Sequence, residues 1–264
     1  MIVSVLPSVM ALCQQVGYFQ LGHLNAVGMA EVKDKGLNQL VSFVDRQSEL
    51  DLVKGLEPLV SGARFIGEEF TAEECNVEGY TWVIDPLDGT TNFLHGLPVF
   101  SISVALLKEG KPILAVVHCP ALEETFSASK GQGAFLNGEP IRVSQNASLS
   151  ASLLATGFPY YEFAKMQPYV DLLKTFMQGT QGLRRMGSAA IDLAYTAAGR
   201  FDAFFEMNLS PWDIAAGILL VEEAGGVVTD FKGGDDVLFG QEIIASSANL
   251  FPAFFPVVSA HLAS

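Results

Sequence analysis

The run Trp82-Val83-Ile84-Asp85-Pro86-Leu87-Asp88-Gly89-Thr90-Thr91-Asn92-Phe93 places two acids, a glycine and two hydroxyls directly after an apolar segment. Pro86 cannot donate to a sheet ladder, so a strand is expected to stop there and the following turn to bring Asp85 and Asp88 to one side. Two carboxylates held that close repel each other and tend to take up a proton unless a cation sits between them. Hard oxygen ligands of this kind suit Mg²⁺, which holds a few carboxylates and keeps positions open for water and phosphate oxygens. Gly89 lets the backbone approach a ligand, and the N–H groups of Gly89, Thr90 and Thr91 at a helix start would cradle a phosphate. A bare Asp-Pro reads more simply as a helix cap with proline at the first helical position. Capping, however, calls for neither the second acid nor the glycine and paired threonines.

Other acids fall at the ends of other elements. Glu68 and Glu69 follow a strand-like run at 63–66, and Glu206 ends the Phe-rich strand Phe201 to Phe205, where an acid could equally meet solvent. Asp213 opens an apolar-periodic helix that stops at Gly225-Gly226, a position that also suits an N-cap. Asp45 falls in the first turn of a helix over 42–60, whose apolar face is Val44, Leu52, Leu56, Leu59 and Val60. Asp45, Arg46, Glu49 and Asp51 are expected to face outward there. A nucleophilic aspartate of the haloacid-dehalogenase type needs a second Asp two positions on. Here two residues separate Asp85 from Asp88, and one of them is Pro86.

The elements that must position these residues divide in two. An amphipathic helix starting near Ser8 carries Val9, Leu12, Val16 and Phe19 at helical spacing. Strands are expected at 81–84, 100–107, 112–118 and 124–128, and Asn137-Gly138 marks a hairpin between 133–136 and 140–143. After about Ser144 helical patterns at 167–178, 188–198, 213–224 and 250–262 alternate with strand-like runs at 151–156, 202–206, 226–231 and 242–246. The expected organisation is an antiparallel-rich α+β half over 1–146 and a mixed-sheet α/β half over 147–264, forming one unit.

Composition narrows the function classes. The formal net charge is −14, so a phosphate-rich polymer would be repelled, and no nucleic-acid partner is expected. Arg184-Arg185, the one adjacent basic pair, reads as solvated surface. An anionic ligand would therefore depend on bound cations for attraction. Cys13, Cys75 and Cys119 form no short-spaced ligand set and suit reduced thiols in a cytoplasmic protein. The first 30 residues lack Asp, Glu, Lys and Arg, yet Pro7, Gln14, Gln15, Gln20, His23 and Asn25 interrupt any membrane span. Neither a signal segment nor a membrane partner is expected.

Over nearly its whole length the chain resembles the inositol monophosphatase family of lithium-sensitive, magnesium-dependent phosphatases. Gly67-Glu68-Glu69, Asp85 to Phe93, and Pro211-Trp212-Asp213 ahead of Glu222-Glu223-Ala224-Gly225-Gly226 carry the resemblance in order. It implies a five-layered αβαβα sandwich of the sugar-phosphatase type, a homodimer, and an inositol-1-monophosphatase-type phosphoric monoester hydrolase with two Mg²⁺ ions and a third, weaker site. Glu68, Asp85 and the Leu87 carbonyl would hold one cation, and Asp85, Asp88 and Asp213 the other. Glu68, Thr90 and Asp45 would be catalytic, Thr90 and Asp45 orienting the attacking water. Gly89 and Thr90 amides would bind phosphate beside Asp88 and Asp213, while Gly187, Ser188, Ala189 and Glu206 would face the alcohol. The implied reaction is in-line hydrolysis by activated water, without a phosphoenzyme, of a small phosphorylated polyol or sugar. Inositol monophosphate comes first among substrates; fructose-1,6-bisphosphate, histidinol phosphate and other sugar phosphates are alternatives. The run Gln39-Leu40-Val41-Ser42 departs from the family's Asp-Leu-Val-Thr, while Lys35 keeps its spacing to Asp45. That departure bears on the water and the weak cation site, not on the two main ones.

Overall fold

Helix α1 (Leu6–His23) takes Pro7 in its first turn, where a missing N–H costs nothing, and buries Val9, Cys13, Val16 and Gln20 at helical spacing. The computed structural model describes residues 4–25, 33–36, 39–69, 78–159 and 164–263. Strands β1 (Lys33–Gly36) and β2 (Gln39–Val41) pair antiparallel ahead of α2 (Phe43–Leu56), which Ser42 caps. Next come β3 (Arg64–Gly67), β4 (Tyr80–Asp88), the short α3 (Thr90–Leu94), β5 (Ser101–Lys108), β6 (Lys111–Cys119), β7 (Glu124–Ser129), β8 (Ala134–Leu136) and β9 (Glu139–Ile141). Strands β3 to β9 form one seven-stranded sheet in chain order, with β3–β4 parallel and the other pairs antiparallel.

The central strands of this sheet are apolar on both faces because both are covered. Side chains alternate across a strand. Trp82, Ile84, Ile102, Val104, Leu106, Leu114 and Val116 therefore meet Val9, Cys13, Val16, Leu52 and Leu56 of α1 and α2. Their neighbours Val83, Ala105, Leu107, Ala115 and Val117 point the other way.

The second half supplies β10 (Leu153–Thr156), α4 (Met166–Gly179), β11 (Gly182–Arg184), α5 (Ala189–Ala197) and β12 (Ala203–Met207), then α6 (Pro211–Glu223), β13 (Gly226–Thr229), β14 (Glu242–Ser247) and α7 (Phe251–Leu262). Its five strands lie in the order β11-β10-β12-β14-β13, with β11, β10 and β12 parallel and β14 antiparallel to both neighbours. Helices α5 and α6 are packed between the two sheets. Every residue of α6 from Ile214 to Val221 is buried, because the helix has protein on all sides. Helices α4 and α7 cover the outer face, where Tyr169, Leu172, Phe176, Phe254 and Val258 pack on Leu154, Phe205 and Ile244. The layers run αβαβα, as expected.

Three short strands, β1, β2 and β11, go beyond the expected set, and most other boundaries shift by one or two residues. Cys13 and Cys119 are buried free thiols, and burial pushes Cys13 up to about 12. Cys75 lies outside the described residues. Among the described residues no helix is long and apolar enough to cross a membrane.

Candidate active site

The strand bearing the central motif does not stop at Pro86. β4 continues to Asp88 across a bulge, with Asp85 opposite Ser103 and Asp88 opposite Ser101. Three steps on β4 thus match two on β5, which re-aims the strand end. Proline is tolerated because β3 pairs only as far as Ile84, so Pro86 has no ladder partner on that side. The Leu87 N–H donates to Asp85 Oδ1 at 2.9 Å, an Asx-type closure of the turn. Gln20 of α1 donates to the Pro86 carbonyl at 2.7 Å, so a residue read only as an interruption of an apolar run braces the bulge.

Gly89 follows with φ 94° and ψ 34°, in the left-handed region, and starts α3. A Cβ there would stand 3.0 Å from the Val99 carbonyl oxygen and 3.1 Å from that of Gly187. Thr90 Oγ1 is within donating distance of Asp45 Oδ1 at 2.9 Å and of the Leu87 carbonyl at 3.0 Å. Asn92 donates to the Val99 and Met186 carbonyls at 2.7 and 2.9 Å, tying α3 to the turn before Gly187.

Asp45 and Glu49 do not face solvent; each is 1% exposed. The inner face of α2 meets the ends of β3 and β4, where polar side chains find partners and burial is tolerated. Asp45 is the third residue of α2 and closes a capping box with Ser42. Its Oδ2 accepts the Ser42 N–H at 2.9 Å and the Ser42 hydroxyl at 2.6 Å, leaving Oδ1 for Thr90. Serine at position 42 makes this cap as a threonine would. Burial raises the Asp45 pKa, and the bonds from Ser42 and Thr90 oppose the rise.

Asp213 is likewise the third residue of its helix, not the cap; Ser210 precedes the helix and its N–H donates to Asp213 Oδ2 at 2.7 Å. Asp88 Oδ2 accepts the Ser188 hydroxyl at 2.6 Å and the Ala190 N–H at 2.8 Å, at the start of α5. Burial pushes Asp88 up to about 6 against those bonds. Asp213 is pushed up to about 8, by burial first and then by the charge of Asp88, with a hydrogen bond to Asp85 opposing. Asp85 is held well above the carboxylate range by burial, and next by the negative charges of Glu68, Asp88 and Asp213. Among the described residues no group of three or more His, Cys, Asp or Glu side chains stands close enough together to hold a metal ion. The fold nonetheless sets Glu68, Asp88 and Asp213 near enough to Asp85 for their charges to raise its proton affinity, and a hard divalent cation is the neutralising partner such a donor set fits.

Beside them opens a cleft with about 160 Å³ of water-accessible space. Asp88, Gly187, Ser188, Ala189, Glu206 and Asp213 all line it, so the structure brings together six of the expected positions from four separate elements. Glu206 lies within β12. Burial pushes it up to about 8, with the Arg185 guanidinium opposing and the charge of Asp88 adding. Glu68, Asp85, Leu87, Gly89, Thr90 and Asp45 are outside this lining; Leu87 and Gly89 flank Asp88 in the chain.

Arg185 and Asp192 also line the cleft, and sequence reasoning missed both. Arg185 is not merely surface: it attracts Glu206, Asp192 and Asp88, and its guanidinium lies 5.8 Å from the Phe158 ring centre. Asp192, one turn after Ser188 on α5, is raised well above the carboxylate range by burial and then by Glu206 and Asp88. Its i+4 spacing from Ser188 was the available signal.

A model described as the inositol monophosphatase family matches residues 4–262. The chain is 43% identical over 243 residues to Nus factor SuhB of Pseudomonas aeruginosa, covering 90% of each chain. It is 42% identical over 228 residues to inositol-1-monophosphatase of Rhizobium meliloti, covering 86% of each. The crystal structure of the extragenic suppressor protein suhB from Bartonella henselae superposes with a TM-score of 0.88 at 37% identity, covering 97% of this chain and 98% of that one.

Proposed function

This chain belongs to the inositol monophosphatase family, and from that premise we propose that it hydrolyses a small phosphate monoester with Mg²⁺, myo-inositol monophosphate being the first substrate. The observation that carries the reading is that the buried Asp85 lies in the field of Glu68, Asp88 and Asp213 while Ser188 pins Asp88 at the edge of the cleft. Glu68, Asp85 and the Leu87 carbonyl would hold one cation and Asp85, Asp88 and Asp213 a second. Bound there, the two cations would supply charge stabilisation to the attacking and leaving oxygens and lower the pKa of water.

The protein's own groups do the positioning. With its proton given to Asp45 or to the Leu87 carbonyl, the Thr90 oxygen is left as an acceptor, so a water donating to it is oriented. Asp45 is the acceptor through which that water's proton is drawn off, and the capping box fixes its other oxygen. The N–H groups of Gly89 and Thr90 would hold the phosphate. Serine 188 fixes Asp88 rather than leaving it to rotate. Glu206, with Gly187, Ser188 and Ala189, faces the alcohol; a carboxyl group there can exchange hydrogen bonds with a polyol's hydroxyls. Fructose-1,6-bisphosphate and histidinol phosphate are the alternatives of the same reaction.

A substrate panel at saturating Mg²⁺ tests this reading. Phosphate release from inositol 1-phosphate that disappears with a chelator is expected; no turnover of any small phosphate ester would sink the enzymatic claim. A second reading, a protein that keeps the fold for interaction without turnover, is favoured by the name Nus factor SuhB carried by the Pseudomonas relative. The same panel separates the two.

A further inference from the structure

Asp45 and Glu49 lie one helical turn apart on α2, so their side chains leave the same face of the helix. Asp45 reaches forward to Thr90 at the start of α3. Glu49 reaches instead to the end of β3, where its Oε2 accepts the Glu69 N–H at 2.8 Å. Its Oε1 lies 2.1 Å from the place a Cβ on residue 67 would occupy, so the carboxylate fills the space that Gly67 leaves. The two contacts bracket a single residue, Glu68. A carboxylate that is 1% exposed is costly to bury, and here one of its oxygens accepts from the backbone of that corner.

We propose that Glu49 is a positioning residue that fixes the Gly67-Glu68-Glu69 corner and thereby sets the affinity of the acidic site for a divalent cation. The proposal rests on reading Glu68 as a cation ligand. One helix then sets the spacing between the ligand at the end of β3 and the hydroxyl at the start of α3, because both are tied to carboxylates on a single rigid face. Gly67 is part of the same device: with a side chain there, Glu49 would have to move off the Glu69 N–H.

The test uses the full chain with Glu49→Ala, Gly67→Ala and the double variant, and Mn²⁺ titrated calorimetrically in the absence of substrate. Each single variant is expected to bind Mn²⁺ about 10- to 100-fold more weakly, the range for losing a group that orients a ligand. Half-saturation by Mg²⁺ in phosphate release should rise in parallel, while kcat at saturating Mg²⁺ falls much less. The double variant should bind no more weakly than Gly67→Ala alone, since removing the carboxylate relieves the clash. Wild-type Mn²⁺ affinity in a Glu49→Ala protein with a native circular dichroism spectrum would overturn the proposal, as would fully additive losses. Should Glu49→Ala not fold, Glu49→Asp, one methylene too short to reach the Glu69 N–H, carries the same two outcomes. Absence of Mn²⁺ binding by the wild-type chain would instead remove the cation-site reading itself, and the proposal with it.

Discussion

Replacing Thr90 by valine removes one hydroxyl and almost no volume, so its consequences are confined to the two bonds that hydroxyl makes, 2.9 Å to Asp45 and 3.0 Å to the Leu87 carbonyl. Asp45 keeps both bonds from Ser42 on its other oxygen, so α2 stays capped. The lost bond is to a charged acceptor, worth about 1.5–3 kcal/mol. The Asp45 carboxyl, already raised by burial, should rise further once a bond that opposed the rise is gone. On the proposed mechanism activity should lose both the acceptor that orients water and a well-placed base, together worth about 10²–10³ in kcat, or about 2.7–4 kcal/mol. The KM for substrate should change little, because no contact to the alcohol is touched. Initial rates of phosphate release from inositol 1-phosphate, at Mg²⁺ concentrations shown to saturate each variant, measure this directly. Thr90→Ser, which keeps the hydroxyl, should stay within about tenfold of the parent. A folded Thr90→Val protein with kcat within about threefold of wild type would refute the assignment of the hydroxyl to the water.

Asp88→Asn keeps an oxygen to accept from Ser188 and Ala190 but removes the charge, so the fold should hold while turnover drops by more than about a hundredfold, beyond the loss of an outer-shell group. Near-normal turnover would contradict the proposed cation ligation. In chelator, stability should fall as pH rises from 5 to 8. Asp88 and Asp213 have folded pKa values raised to about 6 and about 8, so the native state binds more protons than the unfolded chain over that window. Stability associated with these protons is complete below the unfolded carboxylate range near pH 4 and is lost on passing through 6 and then 8. Melting curves with and without Mg²⁺ should therefore diverge more at pH 8 than at pH 6, and a constant difference would argue against a shared cation site. Gly89→Ala meets both a left-handed backbone and a carbonyl at 3.0 Å, which should lower unfolding stability by about 1–3 kcal/mol in urea with an unchanged m-value.

Much of this site was legible in the residues themselves. Acids after an apolar strand, a glycine where the backbone approaches a ligand, and acids in the first turns of helices obey steric and hydrogen-bonding rules acting over a few positions; the caps by Ser42 and Ser210 came only with the structure. The same short-range rules yield the alternation of strands and helices, while the order of the layers came from the family resemblance. What they could not decide is which polar side chains meet another element instead of water. Periodicity put Asp45 and Glu49 on the solvent face of α2, yet the ends of β3 and β4 cover that face. Arg185 looked like surface until β11 and α5 turned it toward Glu206. Pro86 should have ended its strand, but a sheet edge without a partner and a glutamine 66 residues away hold it in a bulge. The bond from Ser188 to Asp88 joins residues 100 positions apart. Such contacts exist only once α5 and α6 are packed between the two sheets. The chemistry was therefore written locally, in the kinds of residue and their near neighbours. The geometry that aims them came from long-range packing.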